Sequence, residues 1–264
     1  MTKKYKESHN NIPSAVIVFD LDETLGYFSE FSLIWNYLQL KNNRSGNSRL
    51  NLQLCFNDFF DKFPELLRPL IIDILKSLMR KKDNYNFEIM LYTNNNGDKS
   101  WVQYIVKYLE YKINTNYKFD TQLFFKIIYA FKIKGKQVEL KRTSHSKSYK
   151  DFLKTTSLPN KTQICFVDDT YYSEMDTDNV FYINIEPYNY YLNSIMIIQR
   201  LKTSKYFNNY YSHINEYDLQ NFLTSKLKHK NMYNDKNKYE IDVVVSKTIW
   251  KFLNEFLLDF CNVK

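Results

Sequence analysis

The sequence is poor in cysteine, glycine and proline, with three, four and five of them among 264 residues. An odd number of widely spaced cysteines without a CxxC pair predicts neither a disulfide framework nor a zinc site. A reducing compartment is therefore the natural setting for the chain. Cys165 lies inside an apolar run, which predicts a core position for it.

Two kinds of hydrophobic segment are also missing. No uninterrupted apolar run approaches the ~20 residues that span a membrane. Residues 1–12 are polar and rich in lysine, unlike a secretory signal, and we expect them to form a disordered tail. We also expect no membrane association and an intracellular location, either cytoplasmic or nuclear. For a viral chain, that location would be the infected host cell or the virion.

The charge balance has two explanations. The chain carries 37 basic and 29 acidic side chains, a net charge of +8 that fits an acidic or phosphorylated partner. An AT-rich genome explains the lysines equally well and also accounts for the 23 tyrosines and 20 phenylalanines. The net charge alone therefore does not indicate a nucleic-acid partner. The hydrophobic fraction of 44% excludes wholesale disorder.

Apolar patterning predicts strands that alternate with helices. Short β-branched and aromatic runs predict strands at 15–19, 87–92, 124–131, 163–167 and 180–185. Helical spacing predicts helices at 31–40, 55–63, 70–82, 98–111, 148–153, 190–201, 219–227 and 244–260. A polar loop is expected at 41–48. This alternation predicts an α/β fold with a Rossmann-like, doubly wound parallel sheet.

The predicted elements divide the chain into a main domain and an extension. The main domain covers 13–202, with a small insertion at about 27–67 that makes at most a small cap. Residues 203–264 form a helical C-terminal extension. The apolar stripe of helix 244–260 is expected to dock on the main domain, and a partner surface is the alternative.

Two aspartates follow directly after the first predicted strand. Asp20 and Asp22 in VIVFDLDETL are two residues apart, which places both carboxylates on the same side of an extended chain. The end of a parallel strand is where open α/β sheets hold their active sites. For so short a motif, the alternative is an ordinary loop with helix-capping aspartates. The buried strand before them favours the active-site interpretation.

Three further signals come later in the chain. Thr93 ends FEIMLYT and either caps a turn or donates its hydroxyl to a bound phosphate. Lys150 in SKSYKDF begins a short helix, where most lysines are solvated. Asp168 and Asp169 follow the strand QICFV and hint at a metal site. Lys147, in the same basic run as Lys150, is expected to be an ordinary solvated lysine.

In this order, the motifs resemble those of the haloacid dehalogenase superfamily. Within it, the chain is most similar to phosphatases of the RNA polymerase C-terminal-domain and NLI-interacting-factor type. The resemblance covers about residues 13–200 and rests on FDLDETL, Leu67-Arg68-Pro69, LYT, YKDF and VDD. Leu70 stands where a glycine usually follows Arg-Pro, and Asn94, Asn95 and Asn96 stand where small residues usually follow the threonine.

The resemblance implies a Mg²⁺-dependent phosphatase that forms an aspartyl-phosphate. Asp20 would be the nucleophile, and Asp22 would act as general acid and then general base. Thr93 and Lys150 would hold the phosphoryl oxygens, with Lys150 aimed at the carboxylates from its helix. Asn94, next to Thr93, would be a further substrate-binding residue.

The same resemblance implies how the metal is held. Its ligands would be the Asp20 side chain, the Asp22 backbone carbonyl and one of Asp168 and Asp169. We favour Asp169 as the direct ligand, with Asp168 orienting the site. The electrostatics agree, because four carboxylates at one edge repel each other and a divalent cation relieves that repulsion. Oxygen ligands without histidine or cysteine favour Mg²⁺.

Three functions compete. The favoured one is hydrolysis of phosphoserine or phosphothreonine in a protein, because the insertion is too short for a large cap over a small substrate. Phe28 and Phe31 then either line a slot for a peptide side chain or belong to the local core. A nucleic-acid end phosphatase is the alternative enzyme, with basic runs 132–150 and 226–238 along the backbone. A catalytically silent binding module is the third hypothesis, against which the intact acidic motifs argue.

Overall fold

The computed structural model describes residues 13–45, 51–115, 118–227 and 236–261, so the predicted tail at 1–12 lies outside the described residues. The strands are β1 (Ala15–Phe19), β2 (Phe87–Tyr92), β3 (Lys126–Ile128), β4 (Lys132–Ile133), β5 (Lys136–Gln137), β6 (Gln163–Asp168) and β7 (Val180–Asn184). The helices are α1 (Ser29–Ser45), α2 (Leu52–Phe60), α3 (Ile71–Lys81), α4 (Lys99–Ile113), α5 (Tyr149–Thr156), α6 (Ser194–Leu201), α7 (Lys205–Tyr210), α8 (Glu216–Lys226) and α9 (Lys236–Phe260).

A five-stranded parallel sheet forms the centre of the fold. Its strand order is β3-β2-β1-β6-β7, and every neighbouring pair runs parallel. β1 is the middle strand, with Ile17 paired to Ile89 of β2 and to Cys165 of β6. The predicted α/β class is confirmed, and a parallel sheet flanked by helices is consistent with a Rossmann-like fold.

The middle strand is buried on both faces of the sheet. Ala15, Ile17 and Phe19 pack into the larger hydrophobic cluster, whereas Val16 and Val18 pack into a smaller cluster on the opposite face. Side chains alternate along a strand, so a continuous apolar run is typical of a strand covered on both sides. Helices α3, α4 and α9 contribute to the larger cluster, and α5 contributes to the smaller one.

A short hairpin that the sequence did not predict follows β3. β4 and β5 pair antiparallel and are joined by Lys134 and Gly135, whose φ angles are 49° and 78°. Two consecutive positive φ angles are typical of the two-residue turns that match the twist of a hairpin. The predicted strand at 124–131 is correspondingly too long, because only residues 126–128 pair with β2.

Two helices extend beyond their predicted ends. α1 continues to Ser45, so the loop predicted at 41–48 is wrong over its first five residues. α9 begins at Lys236 rather than at residue 244. The additional residues of α1 are polar, and those of α9 include exposed apolar side chains such as Ile241. In both cases they continue a helix whose apolar turns already pack on the core. Extending an existing helix costs far less than nucleating a new one.

The C-terminal helices share the core of the sheet. Ile249, Leu253, Phe256 and Leu257 of α9 are buried in the larger cluster, so the predicted apolar stripe docks as expected. Although α9 has 25 residues, charged side chains recur along it. Within the described ranges, no helix combines the length and apolar composition needed to cross a membrane.

Candidate active site

The acidic motifs meet at one edge of the sheet. Asp20 directly follows β1, Thr93 directly follows β2, and Asp168 is the last residue of β6. These three strands are neighbours in the centre of the sheet, and all run in the same direction. Their carboxyl ends therefore bring the predicted site residues together, where open α/β sheets bind ligands.

The loop after β1 is tightly folded. The backbone N–H of Asp20 donates to the carbonyl of Val167 at 2.9 Å, which ties the loop to β6. Further along, the N–H of Glu23 donates to the carbonyl of Gly26 at 2.8 Å. A Cβ atom at Gly26 would lie only 2.5 Å from the carbonyl oxygen of Leu66, so only glycine fits this close approach.

Arg68 holds this loop in place through hydrogen bonds to its backbone. Its side chain is almost fully buried and donates to the backbone carbonyls of Glu23 and Thr24, each at 2.7 Å. A further bond at 2.8 Å reaches the carbonyl of Glu186, in the segment after β7. The planar guanidinium suits this task because its donors form a rigid fork. The Arg-Pro motif thus supports the loop that carries the aspartates.

Helix α9 reaches the same loop through Tyr188. The N–H of Tyr188 donates to the carbonyl of Glu23 at 2.8 Å. The ring of Tyr188 lies 5.5 Å from the Arg68 guanidinium and 5.7 Å from the Lys238 amine of α9. Lys238 also pairs with the buried Asp242, one turn further along the helix, at 3.1 Å. The C-terminal helix therefore contacts Tyr188, which together with Arg68 supports the loop after β1.

A buried acidic cluster lies at the strand ends. Carboxylate oxygens of Asp20, Asp168 and Asp169 all lie within 4.8 Å of one another. Asp168 has both oxygens engaged, because Oδ2 accepts a hydrogen bond from Lys147 at 2.6 Å and Oδ1 accepts one from the Thr170 N–H at 2.8 Å. An acidic cluster of this kind could bind a metal ion.

Lys147 is the cation of the site. Its amine donates to Oδ1 of Asp20 and to Oδ2 of Asp168, and its side chain is only 1% exposed. Three aromatic rings lie 5.5 to 5.7 Å from the amine, those of Tyr92, Phe166 and Tyr172. Ring faces attract a cation, so this setting holds a charged amine between the two carboxylates.

The expectation that Lys150 reaches the carboxylates is wrong. Lys150 is exposed in the first turn of α5, whereas the expected solvated residue, Lys147, is buried in the site. Ser148 caps α5, since its hydroxyl accepts the N–H of Asp151 at 3.2 Å. Lys147 therefore lies in the extended segment before the cap, from which its side chain reaches the strand ends.

Burial and mutual charge shift the pKa values of these groups. Burial raises the pKa of Asp168 to about 7 and also raises that of Asp20, in both cases against the opposing charge of Lys147. Burial and the charge of Asp20 raise the pKa of Asp22 to about 7. For Lys147, burial alone would lower the pKa, but the two adjacent carboxylates outweigh it and raise the pKa above its usual value. The site thus holds more carboxyl groups than positive charge.

Asn95 orients Asp22, a contact that the sequence did not reveal. Its amide nitrogen donates to Oδ2 of Asp22 at 2.8 Å, and its Oδ1 accepts the N–H of Gly97 at 2.9 Å. The N–H of Asn95 donates to the Thr93 hydroxyl at 2.9 Å. Asn95, the second residue after the threonine, therefore has a role that a small residue would not provide.

Thr93 and Asn94, both expected to contact the substrate, differ in their exposure to the cleft. Thr93 stands at the strand end as predicted, but it has no exposed surface and its hydroxyl serves the local turn. Asn94 lines the cleft beside the carboxylates. Its Nδ2 donates to the Tyr172 hydroxyl at 3.0 Å and its Oδ1 accepts from Arg142 at 2.8 Å. Asn94 therefore lies at the cleft with both ends of its amide hydrogen-bonded within the protein, and Thr93 supports the turn that carries it.

Arg142 holds the loops around the site and was missed by sequence reasoning. It is buried under the site and donates to four backbone carbonyls, those of Thr93, Tyr129, His145 and Ser146. Its guanidinium also lies 4.8 Å from the centre of the Tyr92 ring. In the sequence, Arg142 belongs to a basic run in which nothing distinguishes it from solvated lysines.

A cleft of about 880 Å³ opens above the carboxylates. One wall is α1, and the opposite wall is the segment after β2 together with the start of α4. Trp35 and Trp101 form part of its lining. Phe28 and Phe31 are fully buried in the larger cluster, so the hydrophobic slot considered for them does not form.

No family model matches the chain, and no curated protein or solved structure matches it with statistical significance. The resemblance to haloacid dehalogenase phosphatases therefore rests on the sequence motifs, and membership of that superfamily stays a prediction.

Proposed function

We propose that the chain is a Mg²⁺-dependent phosphatase of the haloacid dehalogenase type that hydrolyses phosphomonoesters through an aspartyl-phosphate. One observation carries this proposal. Asp20 and Asp22 stand two residues apart at the end of the middle strand, and Lys147 bridges Asp20 to Asp168 at the end of β6, beside Asp169. A carboxylate nucleophile, a second carboxyl group and a fixed cation are thereby gathered at the end of an open cleft.

The donor set fits a hard divalent cation. The clustered ligand atoms of Asp20, Asp168 and Asp169 are all carboxylate oxygens. Asp20 accepts a hydrogen bond from Lys147 at Oδ1 and Asp169 accepts one from Thr24 at Oδ1, whereas Asp168 has both oxygens engaged. This pattern supports Asp20 and Asp169 as ligands, with the Asp22 carbonyl, and Asp168 as the residue that orients Lys147. Mg²⁺, when bound, would neutralise phosphoryl charge.

Asp20 and Asp22 have different neighbours, and these support different roles for the two side chains. Burial raises the pKa of both aspartates, but Asp20 pairs with the charged amine of Lys147, which opposes that rise and favours the ionised carboxylate that a nucleophile needs. Asp22 pairs instead with the neutral amide of Asn95, and its pKa is raised to about 7. A carboxyl group with a pKa near neutrality can donate and accept a proton, so Asp22 suits general acid–base catalysis.

The proposed reaction has two steps. In the first, an oxygen of Asp20 forms a bond to phosphorus while the ester bond breaks, and Asp22 gives its proton to the leaving oxygen. In the second, Asp22 takes a proton from a water molecule whose oxygen attacks phosphorus. The bond from Asp20 to phosphorus then breaks, which releases inorganic phosphate and restores both carboxyl groups. Lys147 stabilises the charge on the phosphoryl oxygens in both steps.

The substrate that we favour is phosphoserine or phosphothreonine in a protein. The carboxylates lie in an open cleft between α1 and α4, which leaves room for a bulky substrate. A phosphorylated nucleic-acid end is less suitable, because among the described residues Lys134 is the one basic residue that lines the cleft, and it pairs with Asp98 at 3.0 Å.

Hydrolysis of an aryl phosphate tests the proposed function. The purified chain should release the phenol in the presence of Mg²⁺ and lose this activity in excess chelator. Ca²⁺ should substitute poorly, because its larger and looser coordination shell disturbs the position of the nucleophile. Full activity in excess chelator would rule out the metal, and absence of hydrolysis with every divalent cation tested would contradict the proposal.

A further inference from the structure

The wall of the cleft that α1 forms carries a row of neutral polar side chains. Ser29, Ser32, Asn36 and Gln39 all line the cleft. Their spacing of three, four and three residues places them on one face of the helix. We call these residues the α1 polar stripe. The opposite wall is also neutral and polar at Asn96 and Ser100.

Apart from the exposed ion pair between Lys134 and Asp98, charge is concentrated at one end of the cleft. The carboxylates of the proposed reaction lie where β1 and β6 end, whereas the α1 polar stripe carries no charge. The basic residue that lines the cleft, Lys134, is paired with Asp98. A neutral wall with hydrogen-bond donors and acceptors suits a polypeptide backbone, which offers N–H and C=O groups but no charge. It does not suit a chain of phosphates.

Aromatic rings complete the surface between the two polar walls. Trp35 and Tyr104 pack edge to face with ring centroids 5.2 Å apart, and Trp101 lies beside them. Trp35 and Trp101 are 3% and 7% exposed, which is too little for a nucleic-acid base to stack on either ring. The rings therefore make an apolar floor under hydrogen-bonding walls, the composition of a typical binding cleft.

The stripe also has a defined length. Ser29 and Gln39 are ten residues apart, about 15 Å along a helix at 1.5 Å per residue. An extended peptide advances about 3.3 Å per residue, so four or five residues span this distance. In addition, Nε2 of Gln39 is shielded from solvent and has no partner among the described residues. Rotation of the Gln39 side chain toward the cleft would let a bound carbonyl group satisfy that donor.

We propose that the α1 polar stripe binds four or five residues of extended polypeptide on one side of the phosphorylated residue. This inference rests on the proposed function, because the phosphate at the carboxylates fixes where the peptide begins. It assigns substrate recognition to α1, in the insertion between the first motif and Arg68. The substrate segment is neutral, and its backbone makes most of the hydrogen bonds.

Kinetics with substrates of increasing length test the inference. The full chain is assayed with an aryl phosphate, with neutral phosphoserine peptides extended in either direction, and with a 5′-phosphorylated oligonucleotide. We expect kcat/KM to increase with peptide length in one direction only and to level off after four or five residues. Each new backbone hydrogen bond is worth about 1 kcal/mol, or roughly fivefold.

Two matched variants locate the effect. Asn36 on α1 and Asn221 on α8 are both exposed helical amides, but only Asn36 lines the cleft. Asn36→Leu should lower kcat/KM roughly tenfold for the long peptide and leave hydrolysis of the aryl phosphate unchanged. Asn221→Leu should change neither.

Other results would overturn the inference. Peptide length without effect, equal losses for Asn36→Leu on both substrates, or a salt-sensitive preference for the oligonucleotide would each contradict it. If wild type fails to hydrolyse the aryl phosphate, the proposed function fails separately. The length dependence of peptide binding, measured by fluorescence anisotropy with the same two variants, then decides whether the stripe binds polypeptide.

Discussion

The amine of Lys147 lies 2.6 Å from Oδ2 of Asp168 and also donates to Oδ1 of Asp20. This buried lysine joins the carboxylate after β1 to the carboxylate at the end of β6. It therefore fixes the distance between the two halves of the acidic cluster. Burial raises the pKa of both carboxyl groups, and the positive charge of the amine opposes that rise.

Lys147 and Lys150 make a matched pair for mutation. Lys147→Ala should lower kcat for an aryl phosphate by about 10²–10³, because a fixed charge at the reacting phosphoryl group is lost. Lys150→Ala should have almost no effect, since it removes an exposed lysine. Circular dichroism checks that both variants are folded. Equal, mild losses in the two variants would remove Lys147 from the proposed mechanism.

Arg68 gives a prediction about loop positioning. Arg68→Lys keeps the charge but loses the fork that binds the carbonyls of Glu23 and Thr24. We expect kcat to fall by about tenfold or more, because small displacements of reacting groups are costly, and Tm to fall as well. The matched control is Arg200→Lys, where a half-buried arginine pairs with Glu65 away from the carboxylates. A similar kcat in both variants would contradict the positioning role.

The strands were predictable from sequence because each buried strand is a short, continuous run of apolar residues. The run 15–19 is apolar at each position, and the structure pairs it on both sides as that pattern requires. The aspartates after it were found for the same reason. The position of Lys147 was harder to predict, but the spacing of Ser148 and Asp151 is a helix-cap signal. It places the preceding lysine outside the helix.

Contacts between distant loops were not predictable. Arg142 binds carbonyls from the segments after β2 and β3 and before α5, which are far apart in the sequence. Nothing in the basic run around it distinguishes this arginine from its exposed neighbours. The hairpin at 132–137 was missed for a related reason, because its strands are two residues each and mostly exposed.

Leu70 predicts a stabilising substitution. Its φ angle is 63°, in the left-handed region that leucine avoids, and its side chain is 41% exposed. Leu70→Gly should relieve about 1 kcal/mol of backbone strain with little loss of packing, which is partly offset by glycine's greater freedom when unfolded. We expect Tm to rise by about 1–3 °C.

Leu140→Gly is the control for this substitution. Leu140 is 78% exposed and is not among the residues with positive φ. Its replacement should leave Tm unchanged or lower it. A lower Tm for Leu70→Gly than for wild type would show that the leucine side chain contributes more than its backbone costs.

Glu30 predicts how stability depends on pH. It is buried, Oε2 accepts the N–H of Leu192 at 2.7 Å, and burial raises its pKa from 4.5 to about 7. Between these values the folded state binds more protons than the unfolded state, so this group's contribution to stability decreases as pH rises. One pKa unit corresponds to about 1.4 kcal/mol, so the full effect is at most about 3.5 kcal/mol.

Glu30→Gln should remove this dependence. The Tm of the variant relative to wild type should increase between about pH 5 and pH 7 and stay constant at higher pH. Thermal unfolding at a series of pH values measures it. A difference in Tm that does not change with pH would mean that Glu30 titrates alike in the folded and unfolded states.

The central claim is that Asp20 carries the phosphoryl group. An aryl phosphate has a good leaving group, so Asp22→Asn should still form the intermediate but hydrolyse it slowly, because it lacks the general base. The variant is incubated with an aryl phosphate and Mg²⁺, quenched in acid and analysed by mass spectrometry. We predict that the peptide containing Asp20 gains the mass of one phosphoryl group and that the double variant Asp20→Asn/Asp22→Asn gains none. A phosphoryl group on another residue, or continued turnover by the double variant, would contradict the account.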